Sequence, residues 1–265
     1  MRASITRIIL AAVATLSTAA FLLAATDWFD FSGEVLIMGE VHDNPQHHAE
    51  QASAVRIIQP KAVVFEMLTP EEAQALAEVP RDPDAMRDAT GSVQWSNIAD
   101  YADVLAASPV IVGAALSRED MRAAFSSGAA EVFGAEADSY GLTQPLAEEE
   151  QAIRELNQFD AHCEAMPQEM MGGMVEAQRL RDAAFARSVI EALDTYGSPV
   201  VLITGNGHAR MDWGVPAYLM RARPTLDVIS IGQGERQEPP DGLFSWTLNG
   251  AASPDRDDPC AVFKQ

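Results

Sequence analysis

The strongest constraint on the fold of this chain is a recurring unit: a short run of apolar residues, rich in Val and Ile, that stops at a glycine or a glutamate. Residues 35–38 stop at Gly39, 62–65 at Glu66, 200–204 at Gly205 and 226–231 at Gly232; a further run, 110–114, follows Pro109. Runs of this length without polar alternation suit strands buried on both faces. Between them lie segments of helical length at residues 46–59, 70–79, 118–125, 146–163, 168–196 and 215–223. Strands alternating with helices need crossover connections, so the pattern predicts an α/β fold with a mostly parallel sheet flanked by helices. Residues 118–196 contain no convincing strand and read as a helical insertion or small lobe. The tail, 236–265, is rich in Pro, Asp and Gly and reads as an irregular wrap with one candidate edge strand at 244–248.

The start of the chain reads differently. Arg2 and Arg7 precede an uncharged stretch, residues 8–25, and the acids begin at Asp27. A basic start followed by an apolar core is the pattern of a secretory signal. Its length also allows an uncleaved membrane anchor. The expected organisation is therefore a signal or anchor over 1–26, an α/β domain over 27–235 and the tail. Either form of the first segment implies export to the periplasm. In that compartment Cys163 and Cys260 are expected to form a disulfide. The net charge of −21 opposes nucleic acid and anionic lipid as partners.

Ligands of open α/β sheets bind beyond the carboxyl ends of the strands, and the polar residues of this chain gather there. The first run leads into Gly39-Glu40-Val41-His42-Asp43-Asn44-Pro45 and then Gln46-His47-His48; the second ends in Phe65-Glu66-Met67; the fourth leads into Gly205-Asn206-Gly207-His208-Ala209-Arg210. Two of these turns repeat Gly-x-x-His, the glycine allowing a sharp turn. They predict a pocket containing Glu40, His42, Glu66 and His208, with His47 and His48 at the start of the following helix. Within 168–196, residues Met171, Val175, Gln178, Asp182, Phe185 and Val189 share one face. Its two polar members need partners if buried, and Asp182 is placed to orient a histidine. Met166, Met170, Met171 and Met174 offer either core packing or a soft wall for a porphyrin.

Taken in order, Gly-Glu-Val-His-Asp-Asn-Pro with its His-His, Phe-Glu-Met, Ala-Gln-Arg-Leu-Arg-Asp, and Gly-Asn-Gly-His-Ala-Arg with Gly214-Val215-Pro216 resemble the ChaN-like haem-binding uptake proteins. That group is related to the erythromycin esterases and the Tiki and TraB proteins. The resemblance covers about residues 34–231. It implies a parallel-sheet core, a part in haem or iron uptake with haem or an iron complex as ligand, and a haem-bearing homodimer. Carried over by position, it implies the pocket residues Glu40, His42, Glu66, Gln178, Asp182 and His208; cofactor contact is expected at His42, His47, Gln178, Asp182, His208 and Arg210. None of the tyrosines, Tyr101, Tyr140, Tyr196 and Tyr218, falls within these motifs. The alternative is a hydrolase that attacks with water, with Glu40, His42, Glu66 and His208 as catalytic groups or as ligands of a divalent metal. There is no Gly-x-Ser-x-Gly turn to supply an acyl-enzyme nucleophile.

Overall fold

The computed structural model describes residues 31–254, 256, 258, 260 and 261. The expected signal or anchor at 1–26 lies outside the described residues. Among those described, no helix is long and apolar enough to cross a membrane.

Six strands form one parallel sheet: β1 (Val35–Glu40), β2 (Ala62–Phe65), β3 (Ile111–Gly113), β4 (Val200–Gly205), β5 (Val228–Gly234) and β6 (Trp246–Asn249), in the order β3-β2-β4-β1-β5-β6. Every residue of β1, β2 and β4 is buried, which is why these runs lack polar alternation. β1 and β4 continue through the glycines and acid expected to end them, so Gly39, Glu40 and Gly205 are strand residues.

Alternate side chains feed two cores. Leu36, Met38, Val63, Phe65, Val201 and Ile203 face Ala52 and Val55 of α1 (Pro45–Ile58), together with Val104 and Leu105 of a short helix at Ala102–Ala107. Val35, Ile37, Val64, Val200 and Leu202 face the long helix at Met171–Tyr196 through Leu180, Phe185 and Val189. Burying side chains such as Leu180 and Phe185 stabilises by about 1.5–3 kcal/mol each. Residues 118–196 thus supply the helical layer on one face of the sheet and share its core. In chain order their helices, after α2 (Pro70–Ala77), α3 (Pro83–Ala89) and α4 (Ala102–Ala107), are α5 (Arg118–Ser127), α6 (Ala129–Phe133), α7 (Glu148–Ala161) and α8 (Met171–Tyr196). Then α9 (Asn206–Ala209) and α10 (Val215–Ala222) follow β4.

The connections after the two central strands run to opposite faces of the sheet. After β1 the chain enters α1 on one face; after the neighbouring β4 it passes through α9 into α10, whose Val215 and Leu219 pack on the other face. The loops diverge at the carboxyl ends of β1 and β4, where ligands of such sheets bind. Asn44 caps α1 by accepting the Gln46 N–H at 2.9 Å, and Pro45 begins the helix. The tail crosses this end of the sheet. Arg256 donates to Asp43 at 2.7 Å and to Glu235 at 2.6 Å, and Cys260 is joined to Cys163, as expected, with Cα atoms 5.6 Å apart.

Candidate functional site

Parallel register sets the cluster. Glu40 is opposite Gly205, and Phe65 is opposite Ile203, which brings Glu66 beside Thr204 and Gly205. His42 and His208 follow in the two diverging turns. Neither Gly39 nor Gly205 takes a positive φ, so the sharp turn expected of them is not their role. A Cβ on Gly39 would lie 2.6 Å from Asn206 Oδ1, and one on Gly205 would lie 2.9 Å from His42 Nε2. Both glycines permit close approach.

Each histidine is oriented by a carboxylate on Nδ1. His42 Nδ1 lies 2.9 Å from Glu40 Oε1, and His208 Nδ1 lies 2.6 Å from Asp182 Oδ1. The carboxylates accept, which places the proton on Nδ1 and turns each Nε2 toward the strand ends. His208 Nε2 is 3.6 Å from Glu66 Oε1. The Gln178 amide nitrogen is 3.1 Å from His208 Nδ1. The structure therefore brings together Glu40, His42, Glu66, Gln178, Asp182 and His208.

Their roles divide. Glu40 accepts from Tyr101 Oη at 2.5 Å as well as from His42, and from Gln51 Nε2 at 2.7 Å; His48 Nε2 is 3.3 Å away. Its oxygens are committed, so it orients His42. Glu66 Oε2 accepts from Thr204 Oγ1 at 2.5 Å and from the Gly205 N–H at 2.8 Å, leaving Oε1 facing His208. Among the described residues no group of three or more His, Cys, Asp or Glu side chains is placed to hold a metal ion. Of the four residues expected to hold a divalent metal, Glu40 already has donors on both oxygens.

Two further residues expected at the site have partners of their own. His47 Nδ1 accepts the Val41 N–H at 3.0 Å, so Nε2 carries the proton, which it donates to Gly234 O at 3.2 Å. The ring ties the β1 turn to β5 and leaves no lone pair for a cofactor. Arg210 is held by its neighbours in the turn after β4. It pairs with Asp212 at 2.6 Å and lies 3.5 Å over the Trp213 ring.

Charge follows from burial and these partners. Burial alone would raise the Glu66 carboxyl, but the charges of His208, His42 and Arg181 and the Thr204 hydroxyl hold it at about 2. Burial acts the same way on Glu40, where His42 and His48 bring it to about 2. Burial disfavours the His42 cation, yet the bond to Glu40 and the charges of Glu66 and Glu40 raise its pKa overall. Asp182 is pushed up by burial, and Tyr101 by burial and the Glu40 charge. Tyr101, Gln51 and Thr204 belong to the site but lie in no motif, and His48 and Arg181 lie within motifs that assign them no role. Only the need of buried Glu40 and Glu66 for donors points to Tyr101, Gln51 and Thr204.

A groove of about 480 Å³ runs between α5, α7 and α8. Met121, Phe125, Met174 and Ala177 give it an apolar wall, with Arg118, Arg122 and Arg181 around it and His162 on its lining. Gln178 belongs to both this groove and the cluster, and Arg181 joins them electrically. His162, outside the expected constellation, donates Nδ1–H to Gln158 O at 2.7 Å. Of the methionines singled out, Met174 lines the groove and Met171 is core.

Comparison with known proteins follows the same outline. The profile of a family described as haem-binding uptake, Tiki superfamily, ChaN matches residues 32–219. The structure of Campylobacter jejuni ChaN, described as showing cofacial haem binding, superposes with a TM-score of 0.54 at 18% identity. It covers 76% of this chain and 82% of that one. The type III effector HopBA1 gives a TM-score of 0.44 at 9% identity, over 82% of this chain and 88% of that one. No curated protein sequence matches.

Proposed function

The chain belongs to the ChaN family of haem-binding uptake proteins within the Tiki superfamily, and from that premise we propose that it is an exported haem-binding protein serving haem or iron uptake. The observation that carries this reading is the groove between α5, α7 and α8. In a chain with only 18 Lys and Arg against 39 Asp and Glu, three arginines gather around one apolar wall. A flat apolar macrocycle with carboxylate edges suits that lining. Met121, Phe125, Met174 and Ala177 would cover its face, and Arg118, Arg122 and Arg181 would pair with its carboxylates. Haem iron takes imidazole or thioether ligands, and the groove offers His162, Met121 and Met174. The Cys163–Cys260 disulfide and the basic-apolar start of the sequence support export to an oxidising compartment.

Titration of the purified chain with haem tests the reading. A Soret shift that saturates at a defined stoichiometry is expected, and His162→Ala should change the spectrum if that imidazole ligates. A parent protein whose spectrum only scatters and never saturates contradicts the proposal.

The cluster itself favours a second reading, hydrolysis by water. Glu66 is ionised and presents Oε1 beside the His208–Asp182 pair. As base it would take a proton from a water attacking a carbonyl, and His42, which keeps its proton to higher pH, would protonate the leaving oxygen. The water's OH goes to the acyl carbon, its proton goes to Glu66, and the alcohol leaves with the His42 proton; passage of the Glu66 proton to His42 resets the pair. Turnover of an activated ester by the parent, abolished in Glu66→Gln, would support this; a parent without turnover ends it.

A further inference from the structure

A second cleft, of about 420 Å³, lies between α7 and the turn that follows β4. One wall holds Arg154, whose side chain is only 8% exposed. Its Nη2 donates to Glu150 at 2.5 Å, but Nε and Nη1 are buried without a hydrogen-bond partner. Unpaired buried guanidinium donors are costly, and a native site that retains them calls for an acceptor. Trp213 stands between Arg154, 5.2 Å from the ring centroid, and Arg210, 3.5 Å from it. The Arg210 side chain is 13% exposed and is held by Asp212. Two fixed cations thus share one recess. The amides of Asn157 and Gln158 add donors and acceptors to its lining, while Asp160 and Asp241 place negative charge there.

We propose that this cleft binds a small hydrophilic carboxylate, anchored by Arg154 with Arg210 as the second cation. One carboxylate can accept from Nε or from Nη1 of Arg154, which lie on different edges of the guanidinium. Hydroxyl or amide groups on the same molecule meet Asn157 and Gln158. The acids in the lining repel a dianion, which favours a monocarboxylate over a phosphate. The cleft shares Gln158 and Gln178 with the haem groove, but Arg154 and Arg210 line only the cleft, so the proposal does not depend on the haem reading and haem titration of the same variants reports on that reading.

Calorimetric titration of the full exported chain, free of haem, tests the proposal with glucuronate, glucose and inorganic phosphate. Glucuronate should bind one per chain. Glucose, which lacks the carboxylate, should bind at least about tenfold more weakly, the scale of one charge-assisted hydrogen bond. Arg154→Met should lose at least as much, with Arg154→Lys retaining part. Should Arg154→Met fail to fold, Arg210→Met carries the test, because its guanidinium already has a partner in Asp212. Absence of binding to the parent, tighter binding of phosphate than glucuronate, or unchanged binding in folded Arg154→Met or Arg210→Met would each overturn the proposal.

Discussion

At the residue scale, the two imidazoles are held by the same device and differ in surroundings. Glu40 and Asp182 both fix Nδ1. The His42 side chain is 32% exposed and that of His208 7%. Arg181 opposes the His42 cation, since its charge lowers the pKa that Glu40 and Glu66 raise. Arg181→Ala should therefore move the His42 titration to still higher pH, followed by NMR of the ring protons; a downward move would show that Arg181 does not act on His42. Gly205→Ala should displace His42, because the new Cβ would meet Nε2 at 2.9 Å. The altered His42 ring resonances should appear without global unfolding, and an unchanged ring environment would contradict the close approach. The glycines, the paired histidines and Asp182 were legible because each sits at a strand end or on a helix face of fixed period. Tyr101 was not. It arrives from a short 3₁₀ turn, Ile98–Tyr101, with no periodicity to announce where its hydroxyl points.

At the element scale, helices of eight residues or more were readable and shorter ones were not. The pattern places α1, α7 and α8 within a few residues of their observed limits. Helices α3, α4 and α6 span seven, six and five residues, too few to show a face. The role of 118–196 was hidden for a different reason: α8 buries Ala at five positions, and only the tertiary contacts show that it covers the sheet. The end of α7 is tied to the tail by the disulfide, across a separation of 97 residues. On a chain-entropy account, a loop of that length is worth about 4–5 kcal/mol. The Cys163→Ser, Cys260→Ser double variant should lose a large part of that in denaturant melts. It should also bind haem more weakly, because the adjacent His162 lines the groove. Unchanged stability would show that the bridge constrains little.

At the scale of the whole molecule, the buried acids set the pH response. Glu40 and Glu66 sit at about 2 in the fold against an ordinary 4.5. Their contribution to stability is complete above 4.5 and is lost as pH falls toward 2. His42 acts in the opposite sense: its raised pKa stabilises the fold below 6.5, and that part is lost as pH rises through the folded value. Urea midpoints measured against pH should fall on the acid side, and Glu66→Gln should flatten part of that fall. An acid limb identical in parent and variant would show that Glu66 is not held ionised by the fold. Export predicts a mature chain beginning near Asp27, readable as an intact mass; retention of Met1 on membrane-bound material would indicate the anchor.

The proposed binding of haem in the α5–α7–α8 groove is tested most directly by one comparison. Haem is titrated into the parent, into Arg118→Gln/Arg122→Gln/Arg181→Gln, and into a charge-matched control, Arg56→Gln/Arg87→Gln/Arg223→Gln, whose arginines are exposed and lie outside the groove. The groove variant should bind at least about tenfold more weakly, the scale of one lost charge-assisted contact, and the control should match the parent. Equal affinity in all three, or weaker binding in the control alone, would contradict the assignment.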